Sequence, residues 1–227
     1  MRMSRPRRQN QNGRLLILRE KDRDLVHIRD RILQGMLDHA AFDGWTRRAL
    51  DASTVDAHLL PDMSRRAFPG GLPQVADHFA DWTDRCMLAE LEKRDLETMR
   101  VRERIHACVK ARLRFLTPHR AAVRRLLSFL ALPPNAPLAA RITWRSCSVM
   151  WYAAGDRATD WNHYTKRGLL AAVYTTTILY WLADGGDGEG DFPDTWAYLD
   201  RRISDVLKTF GLPKRMKAIL GDVLGPL

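Results

Sequence analysis

The residues of this chain most able to do chemistry are seven histidines and three cysteines, and their spacing denies them a shared task. Cys86, Cys108 and Cys147 form no C-x-x-C pair, and no histidine stands at metal-ligand spacing from any of them. They read as small buried apolar side chains, and an odd number of separated thiols fits a reducing compartment. His39 and Asp43 fall at i, i+4 on a helix, but no second ligand set is near in sequence. The run Asp184-Gly-Gly-Asp-Gly-Glu-Gly-Asp191 is rich in carboxylates. It lacks the ordered D-x-D-x-D-G-x5-E pattern of a calcium loop and reads as a solvated turn. There is no G-x-S-x-G, no H-E-x-x-H, no phosphate-cradling glycine loop and no G-x-G-x-x-G. The expectation is a protein without metal, cofactor or catalytic residues, and not an enzyme.

One charged cluster remains. Asp156, Asp160, Lys166 and Arg167 flank an uncharged run from Gly168 to Ala183. They are either a structural ion-pair set or a surface that faces a partner. The uncharged run itself is unusual, because a surface helix carries one apolar stripe with charges opposite. Thr175, Thr176 and Thr177 sit in its middle although β-branched residues are mediocre helix formers. Tertiary burial must hold it helical. It is too short to span a membrane, which takes about 20 apolar residues. It is a core helix or a helix lining an apolar cavity, with Gly168, Ala171 and Ala172 leaving room.

The elements that position this run are helical throughout. Apolar residues make up 45% of the chain, enough for a sizeable core, and no sustained period-2 alternation is present, so the fold class is all-α. A first helix is expected over about Leu25–Phe42, a second short one from Gly44-Trp45, and a third after Ser53-Thr-Val-Asp56, which resembles a capping box. Pro69-Gly-Gly71 and Pro73 break the chain. A long helix follows to about Thr98, then helices over 101–116, 118–132 and 138–154. Asp194 is expected to cap a helix ending at Gly211.

The net charge of +10 is concentrated at the ends. Residues 1–24 hold eight Lys/Arg against three Asp/Glu, and residues 206–227 hold four against one. A near-neutral body argues against a broad nucleic-acid face, while basic termini suit an anionic lipid surface. Residues 1–24 read as a disordered basic tail. They lack the apolar core of a secretory signal and are too acidic for a usual mitochondrial presequence. A cytoplasmic bacterial protein, peripheral to the inner membrane, is therefore favoured over the mitochondrial matrix. The C-terminus is a basic amphipathic helix: Lys214, Arg215 and Lys217 start it, and Met216, Ile219, Leu220, Val223 and Leu224 share its apolar face. Each cation near anionic lipid gives about 1 kcal/mol, enough for transient membrane contact.

Ala154-Gly-Asp-Arg-Ala-Thr-Asp160, Asn162, Tyr164-Thr-Lys-Arg167, Asp194-Thr-Trp196 and Leu199 carry a resemblance. They resemble the core motif of a family of ubiquinone-biosynthesis accessory proteins, the ninth of the Coq proteins. The likeness spans roughly Asp30 to Arg202 and is strongest over 151–203. It implies a TetR-like helical bundle: a helix-turn-helix-like unit over 25–72, a lipid-binding domain over 73–211 and the amphipathic helix over 212–227. It further implies a non-catalytic protein that holds an isoprenoid lipid or quinone precursor, touches the membrane and presents the intermediate to the demethoxyubiquinone hydroxylase. The lipid-binding set is then Gly168, Ala171, Ala172, Thr175 and Thr176 with Trp151 and Trp196. The partner interface is Asp160, His163, Tyr164 and Arg167. Two positions depart from the family pattern: His163 stands where the family commonly has Trp, and Ala158 where it has Ser. By analogy with TetR-type folds a homodimer is expected, and nucleic acid is not a partner.

The alternative is a TetR-type DNA-binding regulator with an apolar ligand pocket. Residues 28–80 have a suitable layout of short helices. Their would-be recognition segment, residues 59–71, offers only Arg65 and Arg66 as basic side chains.

Overall fold

The computed structural model describes residues 11–156 and 161–210, with side chains described over 24–156 and 163–206. Among the described residues the structure is helical and contains no strand. The helices are α1 (Gln11–Asp43), α2 (Arg47–Asp56), α3 (Met63–Ala67), α4 (Gly71–Leu91), α5 (Val101–Leu116), α6 (Arg120–Leu130), α7 (Ala136–Ala153), α8 (Trp161–Ala183) and α9 (Pro193–Phe210). Single 3₁₀ turns at Thr117–His119 and Pro133–Asn135 precede α6 and α7. The chain divides into two compact units. Among the described residues, one runs up to Phe79 and includes Ala121–Phe129; the other holds Ala80–Arg120 and the helices from Leu130 to Phe210.

The first unit is built on α1, whose Ile32, Leu33, Met36 and Leu37 are buried at the spacing of one helical face. Trp45 fills its centre: the indole N–H donates to the Ala122 carbonyl at 3.0 Å and the ring meets Phe79 edge-on at 5.5 Å. Buried His78 bonds Asp30 at 2.7 Å, and Arg29 donates to the Ala67 carbonyl at 2.8 Å. Two local expectations are corrected. Helix α1 begins at Gln11, well before residue 25. Ser53-Thr-Val-Asp56 is the end of α2 rather than the start of a third helix. The Ser53 and Thr54 hydroxyls turn back to the Leu50 carbonyl, each at 2.8 Å, and both residues are buried, so neither can cap. The cap of α2 is Thr46, which accepts from the Ala49 N–H at 3.2 Å. Helix α3 has only five residues.

In the second unit, α4 stops at Leu91, short of the expected Thr98. The segment after it is held by Arg104 instead, which donates to the Met99 carbonyl at 2.9 Å and the Glu97 carbonyl at 3.0 Å. Helices α5, α7, α8 and α9 pack together. Helix α8 buries Arg167, Leu170, Val173, Tyr174, Thr177, Trp181 and Leu182, a stripe at three- and four-residue spacing. Its exposed face, Gly168, Ala172, Thr175, Thr176, Leu179 and Tyr180, is uncharged as well. The threonines fit because Thr176 and Thr177 satisfy their hydroxyls on the carbonyls of Ala172 and Val173, at 2.8 and 2.7 Å.

The acidic turn that follows is a structural device. Asp184 accepts from the Gly186 N–H at 2.9 Å, the Thr195 N–H at 3.1 Å and the Thr195 hydroxyl at 2.6 Å. It thereby caps α9 from across the turn, the role expected of Asp194, which lies inside the first turn of α9. Burial opposes ionisation of Asp184, but these hydrogen bonds outweigh it and hold the carboxyl below its ordinary range.

Candidate lipid-binding cavity

A cavity of about 600 Å³ opens among α5, α7, α8 and α9. Val101 and Ile105 line it from α5, Trp151 and Ala154 from the end of α7, Leu169, Leu170 and Val173 from α8, and Ile203 and Val206 from α9. Arg102, Arg104, Gly155, Asp156 and Lys166 complete the wall. The volume lies within the roughly 300–1,000 Å³ of small-molecule sites, and the mixture of apolar walls with few polar groups is typical of them.

The polar end is tightly organised. Trp151 donates its indole N–H to the Lys166 carbonyl at 3.0 Å, tying α7 to α8, and the Lys166 ammonium lies 5.5 Å over the same ring. Lys166 pairs with one oxygen of Asp156 at 2.8 Å and Arg167 with the other at 3.4 Å. Arg167 also donates to the His163 carbonyl at 3.0 Å and the Ser148 hydroxyl at 3.2 Å. Arg104 donates to the Ala154 carbonyl at 3.2 Å. Gly155 follows at φ +91°, where a side chain is strained, and an added Cβ would stand 3.0 Å from the Arg104 guanidinium. Glycine is therefore favoured at this turn.

The residues singled out from sequence fall in different places. Trp151 lines the cavity. Gly168, Ala172, Thr175 and Thr176 are on the exposed face of α8, and Ala171 is half-buried beside them; none of the five is in the wall. Trp196 is buried elsewhere, donating to Asp191 at 2.7 Å with the Lys110 ammonium 4.8 Å over its ring. Of the residues expected to meet a partner, Tyr164 is 58% exposed and stacks on Trp144 with ring centres 6.1 Å apart. His163 is half-buried and meets Tyr164 edge-on at 5.2 Å. Arg167 is only 4% exposed, so it is no surface residue: its guanidinium is spent on Asp156. Asp160 and the expected membrane-contact residues Lys214, Arg215, Met216, Lys217, Ile219, Leu220, Val223 and Leu224 lie outside the described residues.

A buried polar cluster escaped sequence reasoning altogether. Asp84 of α4 pairs with Arg112 of α5 and accepts from the Ser146 hydroxyl of α7 at 3.1 Å, while Arg112 donates to the Tyr174 hydroxyl of α8 at 2.6 Å. Four helices are thus joined by side chains that are nearly inaccessible to water. Burial raises the Asp84 carboxyl above its ordinary range, against the pull of Arg112. Burial also pushes the Cys108 and Cys147 thiols up to about 12, which leaves them neutral and poor nucleophiles at physiological pH. Among the described residues no group of three His, Cys, Asp or Glu could hold a metal ion, and no helix is long and apolar enough to cross a membrane.

The sequence model of the COQ9 family matches residues 136–209, which comprise α7, α8 and nearly all of α9. The human protein named ubiquinone biosynthesis protein COQ9, mitochondrial, is 30% identical over 220 residues, covering 94% of this chain and 67% of that one. The rat protein of the same name is 30% identical over 94% of this chain and 68% of its own length. A Dictyostelium discoideum protein named probable ubiquinone biosynthesis protein coq9, mitochondrial, is 24% identical over 86% of this chain and 64% of its own length. The fold is TetR-like: the TetR transcriptional regulator from Nitrosomonas europaea superposes with a TM-score of 0.63 over 78% of this chain and 95% of that one, at 22% identity. That likeness concerns the fold alone. The relatives are mitochondrial proteins, which overturns the expectation of a cytoplasmic bacterial protein peripheral to the inner membrane. Identity at this level, sustained over nearly the whole length, means that the chain belongs to the COQ9 family.

Proposed function

We propose that this chain is a non-catalytic lipid-binding accessory protein of ubiquinone biosynthesis. It takes the isoprenoid tail of a quinone intermediate into the cavity and presents the head to the demethoxyubiquinone hydroxylase at the membrane surface. The observation that carries this reading is the cavity of about 600 Å³ walled by aliphatic side chains and Trp151. Withdrawing an apolar tail from water stabilises the complex by about 25 cal/mol per Å² buried. The names of the curated relatives support the pathway.

The remaining roles follow the same reading. Tyr164 and His163 meet the hydroxylase. Aromatic side chains are the usual anchors of an interface, and the Trp144–Tyr164 stack supports one here. The C-terminal segment from Lys214 to Leu224 makes peripheral contact with anionic lipid. The uncharged exposed face of α8 supports a homodimer, since a second copy would cover Leu179 and Tyr180 without burying a charge.

The test is extraction with organic solvent of the freshly purified full chain. A polyprenyl quinone or a precursor of one, in stoichiometric amount, is expected. An extract free of any long-chain lipid, from protein that also takes up none from quinone-containing vesicles, overturns the proposal.

A further inference from the structure

The charge at the mouth of the cavity asks for more than a greasy tail. Among the described residues, the charged members of the wall are Arg102, Arg104, Lys166 and Asp156. Asp156 is already balanced from the other side by buried Arg167. These five side chains hold four cations and one anion, beside walls that are otherwise apolar. Low-dielectric walls strengthen such a field, so the site favours an anion over a neutral group.

The geometry also shows how a cation could be released to a ligand. Lys166 and Arg167 hold different oxygens of Asp156, at 2.8 and 3.4 Å. When Lys166 swings away, Arg167 still neutralises the carboxylate, so no buried charge is stranded. Lysine suits this task because its ammonium is a compact charge on a flexible stem, with three donors to redirect. Its position over the Trp151 ring already puts it against the cavity wall. Arg102 is exposed at the same mouth, where its guanidinium reaches the Ser204 hydroxyl at 3.4 Å. Arg104 is fixed by three backbone carbonyls and supplies charge without moving.

We infer that the cavity holds long-chain amphiphiles whose head is an ionised acid more tightly than their neutral counterparts, with Lys166 and Arg102 holding that head at the mouth. The inference rests on the reading of the cavity as a lipid-tail site and goes beyond it: the quinone intermediate of that reading is held by its tail, its neutral head gaining little from three cations and staying free to be presented, whereas a carboxylate or a phosphate gains a charge-assisted hydrogen bond.

The experiment compares ligands that share a tail and differ in the head. Oleate is set against oleyl alcohol, and geranylgeranyl diphosphate against geranylgeraniol, below their aggregation concentrations. Binding to the full chain is read from tryptophan fluorescence. The acid of each pair is expected to bind about tenfold tighter or more, the size of one charge-assisted hydrogen bond. Lys166→Gln and Arg102→Gln should each reduce the ratio of acid to alcohol affinity. Lys166→Arg should retain it, which separates loss of charge from loss of fold. Preference in only one pair supports the inference and names the head as carboxylate or phosphate. Equal binding of acid and alcohol, or a preference untouched in both glutamine variants, overturns it while the lipid cavity stands. Failure of all four ligands to bind overturns the inference and the cavity reading together.

Discussion

The Trp151 indole donates to the Lys166 carbonyl at 3.0 Å and carries the Lys166 ammonium 5.5 Å above its ring. One aromatic side chain thus fixes the backbone of α8, steadies the cation at the mouth and forms part of the cavity wall. The consequence is that the cavity and the α7–α8 junction share a stability. Trp151→Phe keeps an aromatic wall and removes the N–H. It should cost about 1–2 kcal/mol, from the lost hydrogen bond and a weaker cation–π contact. Thermal unfolding followed by circular dichroism checks this, and an unchanged midpoint would mean that the pairing contributes nothing.

The Asp84–Arg112 pair is expected to behave as a unit. Asp84→Leu alone strands a buried guanidinium and Arg112→Met alone strands a buried carboxylate, and each should destabilise by about 3–5 kcal/mol. The double variant Asp84→Leu with Arg112→Met should lose less than either single change, because no unpaired charge remains. Urea unfolding of the four proteins measures the coupling. Additive losses would show that Tyr174, Ser146 and solvent satisfy each partner alone.

Acid should loosen the start of α9. The folded Asp184 carboxyl lies below its ordinary value of 3.8, because the Thr195 and Gly186 hydrogen bonds outweigh burial. A folded value below the unfolded one stabilises above the unfolded value, and that contribution is lost as pH falls through the folded value. The stability advantage of the wild type over Asp184→Asn should therefore be level near neutrality and shrink once the pH drops below 3.8. Denaturation curves at a series of pH values read the difference. An advantage that persists unchanged into strong acid would exclude the charged cap.

Tyr164 separates partner binding from folding. It is 58% exposed, so Tyr164→Ala should cost no more than about 1 kcal/mol, the size of its stack on Trp144. If Tyr164 and Trp144 anchor the hydroxylase, the same change should weaken that complex by about 2 kcal/mol, roughly thirtyfold in Kd. Calorimetric titration of the hydroxylase with wild type and variant decides it, and equal affinities would remove Tyr164 from the interface.

Much of this molecule was legible in its sequence, and the misses have physical reasons. The uncharged run 168–183 marks α8, and the charges before it mark the mouth, since Asp156, Lys166 and Arg167 do pair. What failed was the choice of face. Gly168, Ala172, Thr175 and Thr176 drew notice as small residues that leave room, yet they share the exposed side of the helix. The wall is made by the bulky Leu169, Leu170 and Val173, because a cavity between helices is bounded by side chains that stop short of each other, whatever their size. An uncharged helix gives no polar stripe from which to read its orientation. Asp84 and Arg112 stayed hidden for a different reason. Each sits in a charge-rich helix where solvation is the default, and 28 residues separate them. Asp184 was lost among its acidic neighbours, with no local mark to show that its partner is Thr195, 11 residues on.

The central claim is that the cavity holds a lipid tail, and occupancy with and without the space tests it most directly. Leu169 lines the wall and is half-buried, so Leu169→Trp can fill the volume with little disturbance of the core. Wild type and variant would be equilibrated with vesicles containing a polyprenyl quinone, then examined by native mass spectrometry. The wild-type chain should carry one lipid and the Leu169→Trp chain, equally folded by circular dichroism, should carry about tenfold less, as expected when most of the tail contact is displaced. Equal lipid on both proteins, or none on the wild type, would contradict the account.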